Sequence, residues 1–317
     1  MNSLMKNLNV TLLILLVFGL YSVNTSAQQD AQYTQYMYNT LSINPAYAGS
    51  RDVLSFVGLY RSQWVGLEGA PKTATVSLHS PVGKNVALGL NIVNDEIFIT
   101  NETYVDIDFS YTVKTSREGR LALGVKGGAH LLDVDSNRAN TGAENNTISE
   151  EINIDNRFSP QVGVGAYYYT NKFYLGLSAP NLLDTEHFDN GGEDLNSSSL
   201  RTERVNYYLM TGYTFDLNND LKFKPAGLVK LVNGAPLQVD LSANFLIKEK
   251  VTLGAAYRWS AAFSGMIGFQ ISDKFMLGFA YDRETTELQQ FNDGSYELFL
   301  RYELFNRNNK MVSPRFF

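Results

Sequence analysis

Tyr104-Val105-Asp106-Ile107-Asp108-Phe109-Ser110-Tyr111-Thr112-Val113 alternates apolar and polar residues without a break. In an extended chain successive side chains point to opposite faces, so Val105, Ile107, Phe109, Tyr111 and Val113 share one side and Asp106, Asp108, Ser110 and Thr112 the other. The same pattern recurs in Leu237–Phe245, where Leu237, Val239, Leu241, Ala243 and Phe245 oppose Gln238, Asp240, Ser242 and Asn244. Val251–Trp259 sets Val251, Leu253, Ala255, Tyr257 and Trp259 against Thr252, Gly254 and Arg258. Tyr296–Leu304 sets Tyr296, Leu298, Leu300, Tyr302 and Leu304 against Glu297, Arg301 and Glu303. A period of two selects strands, but a water-soluble sandwich alternates as well.

Strand length and the parity of the connections choose between the two. About fourteen runs read as strands, near residues 53–60, 72–79, 86–93, 103–113, 120–134, 158–170, 172–178, 205–217, 221–232, 236–247, 251–259, 262–271, 274–282 and 295–305. Most approach the roughly 9–11 residues that cross a bilayer at a tilt. Pro225 falls inside one run and predicts a bulge or a displaced boundary there. Alternate connections are short: Ser80–Asn85, Lys114–Gly119, Thr170-Asn171, Asn218–Asp220, Lys248–Lys250 and Ser272-Asp273. The other set holds every long one, Arg61–Pro71, Asn94–Asn101, Asp135–Arg157, Ala179–Arg204 and Arg283–Gly294, plus two tight hairpins. Outer-membrane barrels have this asymmetry, with short periplasmic turns and longer outside loops. A sandwich has no reason to put its long loops on one parity.

The expected fold is therefore all-β, an antiparallel up-and-down transmembrane β-barrel over residues 53–305, with both termini in the periplasm. Only a closed cylinder of strands pairs every backbone group in lipid. Apolar faces then meet hydrocarbon and polar faces line the lumen. That places Asp106, Asp108, Asp240, Arg258, Glu297 and Arg301 inside, with Lys126, Lys222, Lys224, Lys230 and Glu303. Both signs are present, so a neutralised network is expected rather than a pore selective for one sign.

Composition narrows the function. The net charge of -6 and pI near 5.2 argue against nucleic acid, which needs a clustered basic surface. The chain has no cysteine, so disulfides, thiolate nucleophiles and Cys-bound metals are excluded. Lys6, the apolar run Val10–Tyr21 and the small residues Thr25-Ser26-Ala27 read as a signal peptide over residues 1–27, cleaved after Ala27. The alternative is an N-terminal membrane anchor, but the apolar run is short and has no basic stop-transfer flank.

Each candidate for chemistry has a plainer reading. His79, His130 and His187 have no second histidine at ligand spacing and read as turn or lumen residues. Asp133-Val134-Asp135-Ser136-Asn137, with Glu144, resembles the start of a calcium loop, but Arg138 stands where that loop needs glycine. Calcium is not expected as a partner, nor any cofactor. His79-Ser80 has no supporting acid nearby, so no catalytic residue is assigned and the chain does not read as an enzyme. Acidic residues in Asp184–Glu203 suit either a solvated loop or a docking surface outside the cell. Residues 28–52, with the loop that follows, form the densest unusual stretch. Tyr33, Tyr36, Tyr38, Tyr47 and Trp64 are amphipathic anchors, and Asn44, Pro45, Gly49, Gly66, Gly69 and Pro71 fix turns. Residues 28–52 read as a periplasmic-side segment: an aromatic girdle with ordinary turns, or a folded plug or lip that narrows the barrel or holds a partner. Residues 306–317 read as a periplasmic tail.

Gln32-Tyr33-Thr34-Gln35-Tyr36-Met37-Tyr38-Asn39, Asn44-Pro45-Ala46-Tyr47-Ala48-Gly49-Ser50, Arg61-Ser62-Gln63-Trp64, Gly69-Ala70-Pro71-Lys72-Thr73 and the closing Ser313-Pro314-Arg315-Phe316-Phe317 resemble the PorP/SprF family of outer-membrane proteins. The resemblance implies a barrel in the cell outer membrane that serves type IX secretion and gliding motility. It implies partners among secretion components or the C-terminal domains of secreted surface adhesins, whose export or attachment the barrel assists. On that basis Gln32, Tyr33, Tyr36, Asn39, Asn44, Pro45, Ala46, Tyr47, Gly49, Arg61, Gln63, Trp64, Gly69, Ala70 and Pro71 are the expected structural or partner-docking residues. The competing reading is a passive outer-membrane channel or hydrophobic-solute transporter.

Overall fold

The computed structural model describes residues 32–135, 154–183, 185–186, 202–203, 205–232 and 235–304. Fourteen antiparallel strands form one closed ring. They are β1 (Leu54–Ser62), β2 (Lys72–Pro81), β3 (Val86–Ile97), β4 (Thr100–Lys114), β5 (Arg120–Val134), β6 (Ile154–Tyr169), β7 (Phe173–Ala179), β8 in two pieces (Asn206–Tyr213 and Phe215–Asn218), β9 (Leu221–Val232), β10 (Gln238–Ile247), β11 (Val251–Arg258), β12 (Ala262–Ser272), β13 (Phe275–Glu284) and β14 (Ser295–Leu304). Each strand pairs with its sequence neighbours, and β1 closes the ring on β14 from Leu54↔Leu304 to Ser62↔Tyr296. Outside the ring, Thr185–Glu186 pairs with Thr202–Glu203.

Alternation decides which way each residue faces. On β4, Ile107 is 62% exposed while Asp108 is 0% exposed. Leu241 and Phe245 on β10 and Leu298 and Tyr302 on β14 are exposed, whereas Asp240, Asn244, Glu297 and Arg301 are buried. A surface of exposed leucines and aromatics around a polar interior is inside-out for water, and it is what lipid requires.

Several boundaries differ from expectation. Asn94–Asn101 is not a long loop: β3 runs to Ile97 and β4 begins at Thr100. The polar residues there pair across the strands, Asn94 Nδ2 donating to Asn101 Oδ1 (2.6 Å) and Thr103 Oγ1 (3.0 Å). Arg61 belongs to β1 rather than to the loop. Pro225 causes neither a bulge nor a boundary, since Gly212↔Ala226 and Phe215↔Phe223 keep one register across it. The proline lacks an N–H, and what is lost is the bridging at Thr214, where β8 is interrupted. The expected signal at 1–27, the tail at 306–317, His187, and most of Asp135–Arg157 and Ala179–Arg204 lie outside the described residues.

The turns at residues 82–85, 115–119, 170–172, 219–220, 248–250 and 273–274, all short, lie at one end of the ring. The connections at 63–71 and 285–294 and the tight turns at 98–99 and 259–261 lie at the other, as do the strand ends Val134, Ile154, Ala179 and Asn206. These are called below the short-turn end and the long-loop end.

Candidate functional site

The segment from Gln32 to Asp52 lies inside the ring. Nearly all of it is buried, and its partners sit on strands all around the circumference, which only an interior chain can reach. Its local structure follows from its turn residues. Turns lead into α1 (Thr40–Ile43), where the Thr40 hydroxyl donates to the carbonyls of Tyr36 and Met37. Asn44 is extended and ends the helix. Its Oδ1 accepts from Ala46 N (3.0 Å), capping a 3-10 turn at Pro45–Tyr47 that opens on proline, whose missing N–H costs nothing there. Gly49 at φ +75 then reverses the chain.

The partners give the path. Gln32 Oε1 accepts from Arg258, the last residue of β11 at the long-loop end. Tyr33 shares a 2.9 Å hydrogen bond with Thr75 on β2. Midway, Asn39 Oδ1 accepts from Ser77 on β2 and Ser42 Oγ donates to Asn91 on β3. Ser178 Oγ then donates to the Ile43 carbonyl at 2.6 Å, and Asn44 Nδ2 donates to Ala166 O at 3.1 Å. Lower down, Ser110 Oγ donates to Ala48 O, and Gly49 N donates to His79 Nδ1. Arg51 reaches Glu303 (2.6 Å) and Asp52 reaches Arg120 (2.8 Å), both at the short-turn end. The segment thus crosses the whole lumen from the long-loop end to the short-turn end, where β1 begins. Of the described residues, Leu304 lies at the short-turn end and Gln32 at the opposite mouth.

One clamp holds the upper part. Arg61, 1% exposed on β1, places Nη2 2.7 Å from Asp282 and Nη1 3.1 Å from Glu297. Nη1 also donates to Thr34 Oγ1 (2.8 Å), and that hydroxyl donates to Asp282 Oδ2 (2.5 Å). The two oxygens of Glu297 accept the backbone N–H groups of Thr34 and Gln35, each at 2.8 Å. Burying three charges is costly unless each is paired and hydrogen-bonded, and here each is. Other inner charges pair too: Lys126 with Asp106 (2.9 Å), and Arg258 with Asp240 (2.7 Å). Asp108 stands 4.0 Å from Lys126. Arg301 lies over the Tyr38 ring, 5.8 Å from its centroid.

Aromatic packing and missing side chains complete the fit. Tyr38 stacks on Phe299, with ring centroids 4.2 Å apart. Tyr47 meets Tyr167 (5.4 Å) and His79 (5.5 Å) edge-on. Tyr36, Pro45 and Ala46 are buried in the same core. Where the segment presses closest, the wall carries glycine. A Cβ on Gly124 would fall 2.3 Å from Ala46 N, and one on Gly165 would fall 2.1 Å from Asn44 Oδ1.

The remaining expected residues sit elsewhere, in the β1–β2 connection at the long-loop end. Gln63 N donates to Pro71 O, and Phe98 N donates to Gly69 O. Trp64, at φ +46, donates from Nε1 to Glu284 (3.1 Å) and from its backbone N to Ser295 Oγ (3.2 Å). Gln63, Gly66, Gly69, Ala70, Lys72 and Phe98 line an open cleft of about 620 Å³ there. The expected residues therefore fall into two groups, a lumen segment and a mouth loop, joined by Arg61. Sequence reading missed Thr34, Asp282, Phe299, Gly124 and Gly165. A glycine or a phenylalanine on an otherwise polar face was the available signal for the last three.

A closed ring with exposed apolar belts and a polar, filled interior defines an outer-membrane β-barrel. Residues 25–302 match the family of type IX secretion system membrane proteins PorP/SprF, and the chain belongs to that family. Its role therefore lies in type IX secretion at the outer membrane. No curated relative matches the sequence. Among solved structures it is similar to the outer membrane protein Omp33 of Acinetobacter baumannii (10% identity, TM-score 0.45, 80% of this chain and 100% of that one). It is also similar to the monoaromatic hydrocarbon channel CymD (10% identity, TM-score 0.49, 90% and 99%). The Ralstonia pickettii toluene transporter TbuX aligns with 9% identity and a TM-score of 0.47 over 82% and 91%.

Proposed function

We propose that this barrel serves type IX secretion by binding a protein partner, a secreted adhesin's C-terminal domain or a component of the secretion machinery, rather than by passing solutes. The observation that carries the reading is the filled lumen. A channel needs a continuous wet path, and here the segment from Gln32 to Asp52 occupies the interior along its length. Recognition then falls to the ends, where loops stand on a rigid scaffold. The cleft beside Gln63, Gly69 and Ala70 supports the long-loop end. Two flanking residues, Trp64 and Phe98, hold positive φ, which costs free energy and is characteristic of functional loops.

Affinity purification of the tagged protein in mild detergent, followed by mass spectrometry, tests this. An adhesin C-terminal domain or secretion components should co-purify. Phe98→Ser, at an exposed cleft residue, should lower that recovery while leaving the barrel folded. Recovery of no partner, together with large steady conductance of the purified protein in planar bilayers, would replace this reading with the channel.

A further inference from the structure

We infer that the long-loop half of the lumen holds a binding pocket for a neutral sugar ring. A cavity of about 90 Å³ lies between Tyr33, Ser42 and Ile43 of the segment and the wall from β3 to β8. That is room for roughly six to nine water molecules, about what one hexose unit displaces. Asn181, just past β7, and Asn206, which opens β8, place its rim toward the long-loop end. Its floor is the Lys126–Asp106 pair, where Lys126 Nζ also donates to Ser42 O (3.3 Å) and so bridges wall and segment.

The lining decides the class of ligand. Asn91, Gln161, Asn181 and Asn206 bring four buried carboxamides, and three tyrosine rings stand among them at Tyr33, Tyr104 and Tyr208. The charged lining residues, Lys126 and Asp106, offset each other at 2.9 Å, so the cavity does not select an ion. Ile43, Val93 and Pro180 are too few to select a hydrocarbon. A carboxamide both donates and accepts, as a hydroxyl does, and a tyrosine ring suits the C–H face of a pyranose. Two of the amides have bonding capacity left over. Gln161, 6% exposed, makes no hydrogen bond to any described residue. Asn91, 1% exposed, accepts at Oδ1 from Ser42 (3.0 Å) and Ser77 (2.6 Å), which leaves its Nδ2 without an acceptor among the described residues. Buried amides are normally matched, and leaving one unmatched costs stability. Two of them on one cavity suit a ligand that carries several hydroxyls. The pocket is separate from the mouth cleft beside Gln63 and Phe98, and it stands whether or not a protein partner binds there.

Saturation-transfer NMR on the purified protein, in a detergent without a sugar head group, tests this. The probes are glucose, galactose, mannose and N-acetylglucosamine, with acetylglycinamide as a compound that offers peptide groups without a ring. At least one of the sugars should receive saturation and titrate to a plateau, and acetylglycinamide should not. Gln161→Leu, which keeps the bulk and removes the amide, should weaken that binding about tenfold. Val93→Phe adds bulk to the cavity and removes no polar group. It should weaken binding as well, which keeps the test decisive if Gln161→Leu assembles poorly. The heat-modifiable gel shift shows whether each variant is folded. No plateau with any of the sugars, unchanged sugar binding in either folded variant, or binding of acetylglycinamide in place of the sugars would overturn the site. Phe98→Ser should leave sugar binding intact while lowering partner recovery, so this inference and the partner-binding reading fail separately.

Discussion

Arg61 shows how a single inward side chain fixes the segment. It neutralises Asp282 and Glu297 and orients both toward Thr34 and Gln35. Arg61→Met would keep much of the volume but leave two carboxylates facing each other in a site closed to water. Breaking a buried charge network this way costs about 3–5 kcal/mol. The expected outcome is a lower midpoint of urea unfolding in detergent micelles, read by the heat-modifiable gel shift; an unchanged midpoint would mean the clamp contributes little. Glycines offer a cleaner comparison on one strand. Gly124 faces the segment and a side chain there meets the backbone of Ala46, whereas Gly127 faces outward with nothing within 4 Å of an added Cβ. Gly124→Val should destabilise by roughly 1–3 kcal/mol, as overpacking does. Protease should also then reach the segment. Gly127→Val should do neither, and equal effects at both positions would contradict the packing.

At the scale of the strand, the alternation that exposes the fold in the sequence also makes a quantitative demand. Ile107 lies near the middle of β4, faces out, and neighbours Leu90 and Gly127 across the ladder. Ile107→Arg should cost about 2–4 kcal/mol in refolding from urea into lipid vesicles, the depth-dependent penalty for a cation facing hydrocarbon. Loss of stability well under that would mean Ile107 meets water or protein instead. The strands were legible because each carries its own evidence: β5 and β9 could be bounded to the residue, and the long and short connections sorted by parity. The β3–β4 turn was not, because Asn94, Asp95 and Glu96 read as a loop. In the barrel Asp95 instead turns inward to accept from Thr73 (2.6 Å). The segment inside the ring was legible as unusual and not as threaded. Its partners lie far off in sequence, Thr34 with Asp282 and Glu297, Asn44 with Ala166, and no local period encodes such pairings.

For the whole molecule, the question is whether the wall stands without its filling. Every strand is hydrogen-bonded on both sides, and the closing pair of β1 and β14 matches nine positions in unbroken register. The apolar belt faces lipid regardless of what lies inside. The wall therefore has its own source of stability, while the segment relieves the inner charges of facing one another across a narrow space. Deleting residues 32–50 should leave a protein that still reaches the outer membrane and still shifts on heating, with a lowered unfolding midpoint. Its lumen would fill with water around Arg61, Asp282, Glu297, Lys126 and Asp106, and planar bilayers should record a steady conductance that the intact protein lacks. Silence from both proteins would place the barrier in the outer loops instead. Failure of the deletion variant to reach the membrane would show that the ring closes only around its own N-terminal chain.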